Sequence, residues 1–241
     1  MSDPSRPSPS LARRWLPLAA ILLGLAAFWA LELDRYLSFA ALKQNRAWLL
    51  EMVAQRPWLA PAAYVGIYAA AVACSVPGAA VLSIAGGLMF GAAWGTLWAV
   101  IGATIGATAV FLAARSALAE PLRARAGPWL ARMESGFRAN AFSYLLVLRL
   151  VPLFPFFIVN LVPALLGVPL GTYVLATAIG IVPGGFVYVS VGAGLGSVFE
   201  SGDEFSPGAV LTPEVMLALI GLAVLALVPV AYRRFRRGTS G

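Results

Sequence analysis

Arg149 is the only charged residue between Ala139 and Phe199, and it heads the stretch Arg149-Leu-Val-Pro152-Leu-Phe-Pro155. A guanidinium keeps its charge and presents a planar fork of donors suited to carboxylate or phosphate. Pro152 and Pro155 each lack an amide donor and clash with the preceding turn, so a continuous helix does not pass easily through them. In lipid, broken backbone survives only where protein or a water-filled cavity satisfies it. An arginine beside such a break is expected to face inward and meet carbonyls, water or an anionic ligand. The alternative is an arginine that snorkels to a membrane interface with no ligand. Asn160 follows on the same apolar stretch, where its amide suits either a bound phosphate or a carbonyl freed by the prolines.

Covalent chemistry has little to work with. The chain has no histidine and one cysteine, Cys74, and residues 57–114 and 150–199 carry no Asp, Glu, Lys or Arg. Hydrolysis or transfer at depth needs paired acids, an activated nucleophile or metal ligands. The expectation is therefore no enzyme, no cofactor, no metal site and no catalytic residue. One cysteine also rules out an internal disulfide framework.

The elements that position Arg149 follow from composition. Of the 241 residues, 61% are hydrophobic and only 11% charged, so the chain reads as an all-α polytopic membrane protein. Residues 1–14 begin as a Pro- and Ser-rich tail expected to be disordered and cytoplasmic. An apolar run over 15–33 predicts an N-terminal transmembrane helix; Ala27-Phe-Trp-Ala30 resembles a cleavage site only loosely, so an uncleaved anchor is favoured. Residues 34–57 alternate apolar and basic positions around Trp48, as an interfacial helix or a connector packed on the bundle would.

A membrane domain is expected over 58–199, with one repeat at 58–117 and a second at 142–199. Hairpin breaks fall at Pro77 and Gly78 in the first and at Pro152 and Pro155 in the second. Gly87, Gly91 and Gly95, then Gly102 and Gly106, are spaced four apart and predict a smooth helix-packing stripe. Residues 200–213 read as an external loop, and 214–241 as a C-terminal transmembrane helix with a basic tail.

Topology follows from where the arginines lie. The N-terminal segment, the 115–140 loop and the C-terminal tail hold twelve of the seventeen basic residues, and the positive-inside rule places all three in the cytoplasm. The net charge of +7 is thereby a membrane signature, and no nucleic-acid partner is expected. The first span then runs outward, and 58–95 must enter and leave from the outside as a re-entrant hairpin. The hairpin beginning at 142 enters from the cytoplasm, so the second repeat is inverted relative to the first. Gly91-Ala-Ala-Trp-Gly95-Thr96 and Gly167-Val-Pro-Leu-Gly171-Thr172 match at the same hairpin-to-span junction. Inverted repeats with broken helices are the usual build of secondary transporters.

Two blocks, AGGLMFGAAWGTLWAVIGATIGATAVFLAAR at 85–115 and RLVPLFPFFIVNLVPALLGV at 149–168, resemble the DedA superfamily of VTT-domain membrane proteins. The resemblance covers roughly 58 to 199. It implies two opposed re-entrant hairpins, location in the cytoplasmic membrane, and movement of lipids between leaflets. The headgroup would be that of an anionic phospholipid or a polyprenyl phosphate, bound by Arg149 with help from Asn160. The best-studied bacterial branch also has acidic residues around the first hairpin and a second arginine six positions after the first. Here Ala79 follows the Pro-Gly tip and position 155 is proline. A lipid transporter or scramblase is the expected function, with a non-transporting scaffold or envelope-maintenance protein as the alternative. A homo-oligomer is compatible with either.

Overall fold

A computed structural model describes residues 11–76, 78–117, 141–150, 156–201, 213 and 217. Every element among them is helical, with no strand. Helix α1 (Leu11–Ala30) is followed by a turn in which Glu32 adopts a left-handed φ of 51°. The turn ends α1 before Leu33, slightly earlier than its apolar run suggests. Residues 11–14, expected to belong to the disordered tail, instead open α1; residues 1–10 of that tail and the C-terminal transmembrane helix expected over 214–241 lie outside the described residues, apart from Leu217.

The interfacial segment is two short helices in place of one. Ser38 caps α2 (Phe39–Gln44) by accepting from the Ala41 amide at 3.1 Å. Asn45 closes α2 and opens α3 (Arg46–Gln55). Leu42 turns inward onto Ile84 and Leu88 while Trp48 stays 58% exposed. The segment is thus packed on the bundle through one face and leaves an indole outside.

Helix α4 (Leu59–Ala73) and the long α5 (Ala79–Ala117) form an antiparallel pair around a tight break. Ser75, with φ of 54°, sits where a helix C-cap favours glycine, and the Val76 amide reaches back to the Ala71 carbonyl at 2.9 Å. Side chains clip the two arms together. The Tyr64 hydroxyl donates to the Leu82 carbonyl at 2.9 Å, and Tyr68 pairs with Ser83 Oγ at 3.0 Å. The tip is covered from outside the pair: Leu37 lies over Gly78, and Gly24 of α1 meets the Cys74 sulfur.

Although its turns follow one another without a gap, α5 is two helices in sequence. Gly91 interrupts it with φ 74° and ψ 177°, a conformation open in practice to glycine alone. The arm 79–90 is about 18 Å long and the arm 92–117 about 39 Å, at 1.5 Å per residue. A hydrocarbon core of about 30 Å is too thick for the first and easily crossed by the second.

The second half repeats the plan. Helices α6 (Ala141–Leu150) and α7 (Phe156–Leu165) are short, and α8 (Leu170–Ser201) is long. Helix α7 ends at Gly167 (φ 68°), with the Val168 amide bonded to the Pro163 carbonyl at 3.1 Å. Gly91 and Gly167 are the two positive-φ glycines among the described residues, and they open the two matching hexapeptides noted above. Ala79–Ala117 and Leu170–Gly194 are long and apolar enough to cross a membrane.

The halves interlock. Helix α5 packs most extensively on α8, and a single core runs from Tyr64 and Tyr68 through Phe111 and Leu145 to Tyr173 and Val189. The contact is backbone to backbone at several points. A methyl on Gly87 would run into the Val189 carbonyl, and one on Gly192 into the Ile84 carbonyl. Gly95 lies against Gly86 and Val189, while Gly102 and Gly106 face Tyr68, Ala69 and Val72 of α4. Gly91 differs from the expected stripe: a methyl there meets nothing within 4 Å among the described residues. Its role is conformational, because the chain turns there.

Candidate functional site

Arg149 sits in the last turn of α6, at a close approach of α6 to α8. Gly180 makes that approach feasible, since a methyl on it would stand 2.6 Å from the Arg149 Cβ. From there the guanidinium reaches across to two further helices. Its Nη2 donates to Asn160 Oδ1 of α7 at 2.7 Å, and to Tyr173 Oη and Thr177 Oγ1 of α8 at 2.9 and 3.1 Å. The guanidinium carbon also lies 5.6 Å from the centroid of the Tyr173 ring, within cation–π range.

Tyr173 and Thr177 are one helical turn apart and Gly180 completes the same face, so one stripe of α8 serves the arginine. Asn160 and Tyr173 are fully buried and Thr177 is 1% exposed. The Tyr173 hydroxyl stands 2.8 Å from Asn160 Oδ1 and 3.2 Å from the Ala107 carbonyl of α5. Its ring stacks on Phe111, with centroids 4.2 Å apart and planes at 23°. Three helices therefore meet at one guanidinium, and α5 joins them through Tyr173.

Asn160, Tyr173 and Thr177 are all neutral. Hydrogen bonds to such amide and hydroxyl oxygens satisfy guanidinium donors. Asn160 accepts from both Arg149 and Tyr173 through its side-chain oxygen, and its Nδ2 has no hydrogen-bond partner among the described residues. Arg149 is thus turned toward α7 and α8.

Of the expected site residues, the structure brings together Arg149 and Asn160. Pro77, Pro152 and Pro155 lie outside the described residues. Gly78 sits in the turn before α5, away from the arginine. Gly87, Gly95, Gly102 and Gly106 line helix contacts. Tyr173, Thr177 and Gly180 went unnoticed in the sequence, although their spacing places them on one face of a long apolar helix. Among the described residues no three His, Cys, Asp or Glu side chains come together. A separate cleft of about 400 Å³, walled by Trp58, Phe90, Trp94 and Trp98 near the Gly91 turn, shares no residue with the cage.

Residues 76–194 match the family model of the VTT domain. The chain is a VTT-domain protein. The VTT domain starts at the hairpin tip and contains the whole cage, from Ala107 to Thr177; α4 lies before it. Relatives of the VTT-domain protein include Transmembrane protein 41B of Danio rerio, 27% identical over 124 residues, or 52% of this chain and 42% of that one. Transmembrane protein 41 homolog of Dictyostelium discoideum is 33% identical over 92 residues, covering 38% of this chain and 26% of its own. Transmembrane protein 41B of Homo sapiens is 25% identical over 124 residues, 52% of this chain and 40% of that one. The match thus spans less than half the length of these curated relatives. No solved structure matches the chain.

Proposed function

We propose that this VTT domain moves the headgroup of an anionic phospholipid or a polyprenyl phosphate between the leaflets of the cytoplasmic membrane, as a transporter or scramblase. The observation that carries the reading is Arg149, a cation turned toward α7 and α8 and held in place by Asn160, Tyr173 and Thr177. An arriving phosphate supplies an opposite charge and bidentate acceptors. No covalent step, cofactor or metal is required.

The finer architecture belongs to the same proposal. The arms of α4, α6, α7 and the 79–90 part of α5 have hairpin lengths, and the helices after Gly91 and Gly167 have spanning lengths. Each half sends its short arm onto the long helix of the other: Gly87 meets Val189, and α7 packs on α5. Such reciprocity is what two inverted re-entrant repeats produce. Both termini then face the cytoplasm. The relatives' designation as transmembrane proteins is in keeping with this placement.

One observation favours a second reading. The hydrogen bonds of the cage join α6, α7 and α8, which would equally suit a structural staple in a non-transporting scaffold. Purified wild-type and Arg149→Gln proteins in liposomes containing a fluorescent anionic phospholipid separate the two. Loss of transfer at matched folding supports transport; wild-type rates in the variant would sink it, and absence of transfer in both would favour the scaffold.

A further inference from the structure

The Tyr173 hydroxyl has one proton and two acceptors within reach, Asn160 Oδ1 at 2.8 Å and the Ala107 carbonyl at 3.2 Å. The two acceptors belong to different halves of the chain. Ala107 is 66 positions away, on the long helix of the first half, whereas Asn160 and Arg149 belong to the second. We propose that Tyr173 is a positioning residue whose hydroxyl proton relays anion occupancy at Arg149 to the grip between α5 and α8. The relay rests on the reading of Arg149 as a site for a phosphate-bearing anion.

Its direction follows from what each acceptor loses. With no anion present, Arg149 Nη2 donates to Asn160 Oδ1 at 2.7 Å, so that fully buried oxygen is already supplied and the Tyr173 proton is shared between it and the Ala107 carbonyl. A phosphate drawing the guanidinium toward itself removes that supply. A buried amide oxygen left without a donor costs more than a typical hydrogen bond returns. The tyrosine proton is the donor in place, so it is no longer shared and settles on Asn160 Oδ1. Ala107 bears the loss cheaply, because its carbonyl already accepts a helical amide within α5.

The consequence is mechanical. Without the hydroxyl, the α5–α8 contact at this level rests on the Phe111–Tyr173 stack and apolar packing. Headgroup occupancy therefore slackens one half against the other at the depth where the headgroup must pass. Nη2 also has two hydrogens for three acceptors among the described residues, so these bonds are shared and open to exchange.

Amide hydrogen exchange over 108–114 reads the Ala107 end of the relay in detergent-solubilised full-length protein. Dihexanoyl phosphatidylglycerol is the lipid probe, inorganic phosphate the free-anion probe, and calorimetry measures binding of each in parallel. In wild type, a bound probe is expected to speed exchange by about five-fold, the factor worth one hydrogen bond. Tyr173→Phe keeps the ring stack and loses the proton; it should start at the faster rate and not respond, while still binding the probe. Acceleration by lipid only identifies a headgroup as the ligand, and acceleration by inorganic phosphate identifies a free anion. Equal acceleration in Tyr173→Phe overturns the relay, as does unchanged exchange in wild type that binds a probe; both leave the anion site standing. Should neither probe bind wild type, the anion site falls and the relay with it. If Tyr173→Phe does not fold, the wild-type arm decides alone.

Discussion

At the residue scale, the cage makes Arg149 costly to bury and inexpensive to lose. Deleting the charge removes a desolvation penalty along with the hydrogen bonds to Asn160, Tyr173 and Thr177, and Asn160 and Tyr173 retain each other. Arg149→Gln is therefore expected to melt close to wild type, within about 1 kcal/mol, while lipid transfer falls about tenfold or more, the worth of hydrogen bonds to a charged group. Arg149→Lys keeps the charge without the fork and should fall between the two. Asn160→Leu has a different signature. It removes the oxygen that Arg149 and Tyr173 share and should cost about 1–3 kcal/mol. Thermal melts in detergent, paired with transfer rates in liposomes, check both; an Arg149→Gln protein that unfolds would make the arginine a staple.

At the element scale, two glycine classes that look alike in sequence should fail for different reasons. Gly87→Ala and Gly192→Ala force a methyl into a carbonyl of the facing helix and should each cost about 1–3 kcal/mol by overpacking. Gly91→Ala meets open space and instead carries the strain of φ 74° and ψ 177°, also about 1–3 kcal/mol. Side-chain size separates them. Enlarging Gly91→Ala to Gly91→Leu should add little, whereas Gly87→Leu should abolish folded yield. A steep size dependence at Gly91 would show that a neighbour packs there.

At the scale of the whole molecule, the proposed inverted repeat would fix which loops face which side. In a Cys74→Ser background, Ser201→Cys at the end of α8 should label from outside intact cells with a membrane-impermeant reagent. Ser135→Cys, in the arginine-rich loop, should label only after permeabilisation. Labelling of both from outside would abolish the inverted arrangement. The hairpin lengths alone would not rescue it.

The sequence by itself determined the membrane character, because two long stretches free of charged side chains have no other stable home. The matching hexapeptides also marked the two hairpin-to-span junctions, but Gly91 read as part of a packing stripe, and only its backbone conformation makes it a turn. Arg149 stood out for a comparable reason, a lone charge being conspicuous in an apolar text. Its partners did not. Tyr173 and Thr177 are unremarkable residues in a hydrophobic helix, and Ala107 contributes only a backbone carbonyl, which no residue type announces. The glycine stripe was legible as spacing, yet spacing could not tell Gly87, which touches a backbone, from Gly91, which touches nothing described. Those distinctions depend on which helix arrives opposite, and that is settled only when α5 and α8 close on each other. Periodicity is a property of one helix; a cage made by four helices exists only after they pack.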